Sequence, residues 1–420
     1  MPKTVLIQLP SPFLINDRDL PLLGTLYLAS ALRANNLEVQ VADLCGLDEA
    51  HWYIPEGDVY GISLVTPQVP YARRLVELLR GRTSHPVTIL GGGPHVSALP
   101  EWSLQHLGFD HVFVGEADTA LPAFLARSDV AWPRVISCEP IKATKILLPA
   151  RDLVDMRSFH RVGVNRYVTQ GRYEGYLQTG RGCPFDCAFC AQSAITQRQI
   201  RYLPIPTVLQ DLDDLLTRYE CDLVFIEDDT FNISKKRVLA LCAAFESVGF
   251  HWHCLCRSDT MDQETADALA RAGCQNVAFG FESGSDEMLR SMGKGETVAQ
   301  SRAAIACVKR AGMSVRGQMI VGFPGETQET VEQTAEFVRS TPVDRWGFHN
   351  FTLLPGSRSW KEALEAGRIT LDAHTFDSGM ETIGLPLYWS PRSYEHPETR
   401  EWLRYLCAVA EGLNIYEELA

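Results

Sequence analysis

The sequence predicts an α/β protein made of an N-terminal doubly wound parallel sheet, then a partial (β/α)6 barrel, then a short, mostly helical C-terminal segment. Three observations predict it. Short β-rich runs alternate with amphipathic helical patterns through about residue 125, the alternation lapses between about 130 and 172, and it restarts near 175 for six further βα steps.

In the first stretch, TVLIQLP (4–10) reads as a strand and TLYLASALRANN (25–36) as an amphipathic helix. EVQVADL (38–44) and VYGISLV (59–65) follow, then the helix PYARRLVELLRGR (70–82) and the strands VTILGGG (87–93) and HVFVGEAD (111–118). Strands alternating with helices imply βαβ crossovers, with ligands received at the carboxyl ends of the strands. Between 130 and 172 prolines and charges recur without a period, as in a connector. The second series runs EGYLQTG, LVFIEDD (223–229), HWHCLCRSD (251–259), NVAFGFESG (276–284), VRGQMIVGFPGE (315–326) and RWGFHNFTLLPG (345–356). Six such steps make a TIM-type barrel smaller than the eight-fold one, with its chemistry at the C-terminal strand ends. SRSWKEALEAGRI reads as a helix, and the remaining tail is expected to cover the barrel mouth or flank it. The expected division is 1–135, a 136–172 connector, 173–357 and 358–420.

Of the 420 residues, 45% are hydrophobic and 22% charged, which is enough to bury large cores. A formal net charge of -13 repels phosphate backbones, so a small molecule, or next a peptide, is the expected partner rather than nucleic acid. No run approaches the roughly 20 apolar residues of a membrane span. The opening MPKTVLIQLPSPF is too short and proline-broken for a signal peptide, which predicts a cytoplasmic, reducing location for the twelve cysteines.

GRGCPFDCAFC (180–190) concentrates three of those cysteines. Cys183, Cys187 and Cys190 form CxxxCxxC directly after a strand, among glycines and a proline that let thiols converge from a loop. A structural zinc site wants four protein ligands, and no second CxxC pair lies within reach. Three thiolates suit an iron-sulfur cluster with one iron open, although the spacing by itself also admits zinc or packing cysteines. The other nine cysteines lack ligand-like spacing. Cys254 and Cys256 alternate with Arg257 and face the core if Arg257 faces the barrel interior, where His251 and His253 would be satisfied structural histidines or approach substrate.

The stretch resembles the CxxxCxΦC signature of the radical S-adenosylmethionine (SAM) enzymes, with Phe189 as the aromatic. The resemblance extends over residues 175–356. It implies a 4Fe-4S cluster whose open iron chelates SAM, and SAM contacts from Phe189, from Glu227 and Asp228 of IEDDTF (with Asp229 not separated from them), and from Arg257 of CRSD. Further contacts are implied for Glu282 and Ser283 of GFESGS, and for Met319 and Gly322 of GQMIVGFPGE.

The first half resembles the Rossmann-like cobalamin-binding domain of the B12-dependent radical SAM clade, through LPLLGTLYLASAL, DVYGISLVTPQ, TILGGGPHVSALPE and VFVGEAD. It implies cobalamin held by Gly24, Ser63, Leu64, Val65, Thr66, Gly91, Gly92, Gly93, Pro94, His95, Gly115 and Glu116. ADLCGLDEAH lacks DxHxxG, so the resemblance implies a corrinoid without a protein histidine ligand, with Val65 and Thr66 nearest cobalt and His95 by the corrin edge or nucleotide tail.

Together the two resemblances imply a cobalamin-dependent radical SAM methyltransferase. It would act on an unactivated carbon of a small metabolite or natural-product intermediate, through methylcobalamin and a 5′-deoxyadenosyl radical, and be fed by flavodoxin or ferredoxin. A non-methylating rearrangement, ring contraction or cyclisation shares every motif. A cobalamin- or SAM-sensing protein without turnover is the third reading.

Overall fold

The computed structural model describes residues 2–11, 17–18, 23–82, 86–127, 130–159, 172–376 and 398–413. They fall into two units. The first comprises the described residues of Met1–His160, Cys190–Gln199 and Leu354–Glu381, and the second those of Arg161–Phe189, Ile200–Leu353 and Thr382–Ala420.

The first unit holds six parallel strands: β1 (Thr4–Gln8), β2 (Val39–Asp43), β3 (Val59–Ser63), β4 (Thr88–Gly92), β5 (His111–Val114) and β6 (Val135–Ser137), in the order β2-β1-β3-β4-β5-β6. β1 is buried at every residue, as a strand covered on both faces must be. Strand order reverses between β2-β1 and β3, and such a switch point opens a crevice at the carboxyl ends. The expected strands run short at their ends for local reasons. β3 stops at Ser63 because Thr66–Gln68 coil into a 3-10 turn begun by Val65, and β5 stops at Val114 because Gly115 turns with φ +91°. β6 lies at the expected domain edge, and the chain beyond it stays with this sheet. Ile136, Cys138 and Ala150 join Leu6, Leu32, Leu90 and Phe113 in one core, and Ala150 N–H donates to Leu26 O at 3.1 Å.

The second unit is an open parallel sheet of six strands: β7 (Glu174–Leu177), β10 (Leu223–Ile226), β11 (Trp252–Cys256), β12 (Cys274–Glu282), β13 (Ser314–Val321) and β14 (Arg345–Asn350). They are hydrogen-bonded in chain order, the pattern of a partial barrel. β8 (Gly180–Arg181) and β9 (Arg201–Tyr202) form a separate antiparallel pair that brackets the cysteine stretch. β13 alternates strictly: Val315, Gly317, Met319 and Val321 are buried beneath helices, whereas Arg316, Gln318 and Ile320 are half-exposed toward the lumen. The helix Thr399–Gly412 lies against the helix Gln328–Ser340 and β14, with Trp402 Nε1 donating to Gln328 Oε1 at 2.8 Å, so this part of the tail flanks the barrel. Among the described residues no helix is long and apolar enough to cross a membrane.

Candidate functional site

In the second unit, the cysteine loop is held by the carboxylates that follow β10. Asp228 is 4% exposed and accepts from Thr179 N (2.6 Å), Thr179 Oγ1 (2.5 Å) and Gly180 N (3.0 Å). Burial raises its pKa to about 6 against the pull of those donors. Asp229 accepts from Gly182 N at 3.1 Å, where the loop turns at φ +94°. Two of the three acidic residues are therefore loop anchors. Asp228, expected to meet SAM, is occupied by the backbone leading into Cys183. Glu227 alternates with Phe225, which stacks on His253 in the lumen, and so lies on the lumen side.

Cys183, Cys187, Phe189 and Cys190 are all partly exposed. Ala188 N–H donates to Met292 O at 2.8 Å, tying the loop to the end of the helix Asp286–Ser291 that follows β12. Burial pushes the Cys187 thiol up, while the Lys294 ammonium and the Arg257 guanidinium pull it down. Arg257, 4% exposed, is no surface arginine. Its Nε and Nη2 form a fork with Asp259 (3.0 and 2.9 Å), Nη2 also donates to Lys294 O (2.7 Å) and pairs with Glu296 (3.1 Å), and Nη1 lies 3.9 Å from Cys187 Sγ. The guanidinium carbon stands 3.7 Å from the Phe185 ring centroid, a cation–π contact.

Glu282 ends β12 with φ +65° beside a register shift, and its Oε1 meets Lys294 Nζ at 3.1 Å. A Cβ on Gly280 would lie 2.4 Å from that oxygen, so the glycine gives the carboxylate its room. Lys294 sits between Gly293 (φ +64°) and Gly295 (φ +72°), conformations that glycine adopts without a Cβ penalty and that turn the lysine inward to 7% exposure. Sequence reading missed Lys294, Phe185 and Glu296. The Gly-Lys-Gly spacing was the available signal.

Three further expected contact residues have neighbours within the protein. Ser283 Oγ accepts from Ser285 N (3.1 Å) and meets Thr334 Oγ1 (3.3 Å), binding the strand end to the helix behind it. Met319 is fully buried on the helix face of β13, so Ile320 and Gln318 are the lumen residues of that motif. Gly322 (φ +86°) makes way for Thr399, whose Oγ1 would lie 2.5 Å from a Cβ there. His253 is 3% exposed and bonded to Glu174, a satisfied structural histidine, and Cys254 and Cys256 are core residues.

In the first unit the strand ends carry glycines of three kinds. A Cβ on Gly91 would strike the Phe109 ring at 2.5 Å, and one on Gly93 would lie 2.7 Å from Leu64 N; only Gly92 has nothing within 4 Å. Of the run expected to admit a ligand, one position opens outward and two serve internal packing. Gly24 is exposed and Pro94 too, whereas Leu64 is 1% exposed and acts through its backbone, donating to Gly92 O and accepting from His95 N, both at 3.1 Å. Gly115 N–H donates to Ser97 Oγ at 3.0 Å, and Glu116 accepts from Ile141 N at 3.2 Å. Ser63, Val65 and Thr66 are half-buried at the end of β3.

His95 does not line an open edge. It is 1% exposed, edge-on to Trp102 (5.4 Å) and Phe376 (4.9 Å), with Nδ1 3.1 Å from Thr66 Oγ1. Burial lowers its pKa to about 3, so the ring is neutral. Gln68, another residue the sequence did not mark, is 1% exposed. It accepts from Val65 N (3.0 Å) and donates to Leu9 O (3.2 Å), Pro10 O (3.0 Å) and Ser11 Oγ (3.0 Å).

The sequence profile of the radical SAM superfamily matches residues 177–338, and that of the B12 binding domain matches residues 17–125. The chain is a B12-binding radical SAM protein. Its cofactors are accordingly a 4Fe-4S cluster, SAM and cobalamin. This B12-binding radical SAM protein is 29% identical over 366 residues to an uncharacterized methyltransferase of Pyrococcus horikoshii, covering 82% of this chain and 78% of that one. It is 25% identical to the cytidylyl-2-hydroxyethylphosphonate methyltransferase of Streptomyces wedmorensis, over 79% of this chain and 72% of the relative. The fold matches the radical SAM methyltransferase TsrM of Kitasatospora setae, solved with cobalamin and a 4Fe-4S cluster, with a TM-score of 0.68 at 16% identity over 98% of this chain and 89% of that one.

The donor chemistry fits both groups. Three part-exposed thiols lie on one loop; burial raises the Cys187 thiol on balance, and the Lys294 and Arg257 cations beside it offset part of that rise. At the strand ends of the first unit, a Cβ on Gly92 would meet nothing within 4 Å and Thr66 is half-buried, so both are open to a ligand.

Proposed function

We propose that this protein methylates an unactivated carbon of a small metabolite or natural-product intermediate. The observation that carries the reading is the buried Arg257–Lys294–Glu282 group at the strand ends beside Cys187, in a chain that also has a B12-binding sheet. The relatives named methyltransferases support it. Cys183, Cys187 and Cys190 would hold the cluster. Glu282, Lys294, Glu227, Ile320 and Phe189 would hold SAM, and the Val65–Thr66 turn with Gly92 would face the corrinoid. When bound, these groups supply a methyl donor and a carbon-centred radical able to remove an unactivated hydrogen.

The protein's part is placement. Asp228 and Asp229 fix the backbone on either side of Gly180, which sets where the first thiol stands. Arg257 stacked on Phe185 keeps a positive charge beside Cys187 as thiolate charge gathers there. The buried Glu282–Lys294 pair presents an acceptor and a donor that can exchange each other for the hydroxyl and carboxylate groups of a ligand. A low-potential donor such as flavodoxin or ferredoxin would supply the electron, in the cytoplasm.

The test is anaerobic reconstitution with iron, sulfide and hydroxocobalamin, followed by assay with SAM. The expected result is a 4Fe-4S signal absent in Cys187→Ala, one equivalent each of 5′-deoxyadenosine and S-adenosylhomocysteine per turnover, and a product heavier by CH2. A product of unchanged mass would replace methylation with rearrangement or cyclisation. A cluster without bound corrinoid would leave only the radical SAM half.

A further inference from the structure

The Val65–Gln68 turn at the end of β3 is fastened by two buried side chains, one at each end, and neither reaches solvent. Gln68 ties it to the Leu9–Ser11 segment after β1. His95, on the helix Gly93–Ala98 after β4, ties it from the other side through Thr66 Oγ1 at 3.1 Å. The other ring nitrogen of His95, Nε2, is buried without a hydrogen-bond partner among the described residues. Leaving such an atom unpartnered is unfavourable, because burial strips its water without a replacement. An apolar residue of similar size would fill the space between Trp102 and Phe376 without that cost. What histidine adds between the two rings is a hydrogen bond to Thr66.

We infer that His95 is a positioning residue for the cobalamin site: sealed away from the corrinoid itself, it orients the Thr66 hydroxyl that the turn presents to the corrin's lower face. The inference rests on the reading of this unit as the cobalamin-binding one and of Thr66 as the residue beneath cobalt. It differs from direct contact between His95 and the cofactor, because His95 is 1% exposed and, among the described residues, its ring's polar contact is the threonine. Gln68 fixes where the turn stands, and His95 fixes which way its hydroxyl points. Thr66 is half-buried, so its hydroxyl oxygen keeps a second hydrogen-bonding direction after His95 is served.

The test uses the full chain loaded anaerobically with hydroxocobalamin and reduced to the cob(II)alamin state. Electron paramagnetic resonance and equilibrium titration are read for wild type, Thr66→Val, His95→Leu, His95→Asn and the Thr66→Val/His95→Leu pair. Thr66→Val and His95→Leu are expected to change the cobalt hyperfine pattern in the same way and to weaken corrinoid binding by about five- to tenfold, the worth of one hydrogen bond. The double variant should match either single one. His95→Asn, whose amide occupies the place of Nδ1, should restore the wild-type spectrum. A spectrum unchanged by Thr66→Val overturns the inference and leaves His95 a packing residue, and so does a His95→Leu effect that adds fully to that of Thr66→Val. If His95→Leu does not fold, the comparison of Thr66→Val with His95→Asn still decides. Failure of the wild type to take up corrinoid is a different outcome, and it overturns the parent reading together with the inference.

Discussion

Replacing Lys294 by methionine keeps the volume of the side chain and removes its charge. Its Nζ lies 3.1 Å from Glu282 Oε1, and the two side chains are 7% and 10% exposed, so the substitution strands a carboxylate where water scarcely reaches. Breaking a buried pair from one side costs about 3–5 kcal/mol. At roughly 2–4 °C per kcal/mol for a unit of this size, the unfolding midpoint of Lys294→Met should fall by on the order of 10 °C. Adding Glu282→Gln removes the stranded charge, so the double variant should recover about 2 kcal/mol or more relative to Lys294→Met. SAM affinity should stay low in both, since neither retains the ammonium. Burial pulls the Lys294 pKa down, but Glu282, Glu296 and Cys187 outweigh it and the net shift is upward. The pair's stabilisation is therefore full below the ordinary lysine value of 10.5 and is lost only as pH climbs through the higher folded value. Thermal melts and equilibrium SAM binding on the anaerobically reconstituted protein measure these effects. A Lys294→Met protein as stable as wild type, or a double variant no more stable than Lys294→Met, would refute the reasoning.

Asp228→Ala leaves Thr179 N and Gly180 N without their acceptor, at about 1–3 kcal/mol each, and should lower both the melting midpoint and the iron retained per chain after desalting. Glu326 accepts from Gly322 N and is 4% exposed, and burial raises its pKa from 4.5 to about 7. The folded protein thus holds that proton where the unfolded chain has released it, so stability should fall by up to about 3 kcal/mol as pH rises from 4.5 to 7. In Glu326→Gln that part of the slope should vanish, as urea midpoints at pH 5 and pH 8 would show. Gly91→Ala pushes a methyl into the Phe109 ring and should cost about 1–3 kcal/mol in a denaturant melt; Gly92→Ala should leave the melt unchanged and reduce corrinoid uptake.

Both parallel sheets were legible because their periodicity and punctuation agree: buried runs such as TVLIQ and LVFI are separated by amphipathic helices with clear caps. β6 was not, because three residues carry no period. Within the site, cysteine spacing and the strand-end arginine and glutamate could be read locally. What could not be read was which neighbour a polar group had already taken. Asp228 in a run of acids looks available for a ligand, and only the fold brings Thr179 and Gly180 within its reach. Met319 stood in the right motif on the wrong face: a shift of one residue along a strand exchanges lumen for core. Lys294 was hidden because its burial depends on a turn between two left-handed glycines rather than on any element with a period.

The left-handed backbone at Glu282 bears on how this protein can be engineered. A residue with a Cβ at φ +65° costs about 1–2 kcal/mol more than glycine there. Relief of that strain is smaller than the about 3–5 kcal/mol that leaving the buried Lys294 ammonium unpaired would cost, so a selection for thermostability alone should keep a carboxylate at position 282. Libraries built to harden this scaffold should therefore vary positions 282 and 294 together or hold both fixed, because the strained backbone and the buried charge pair come as one unit.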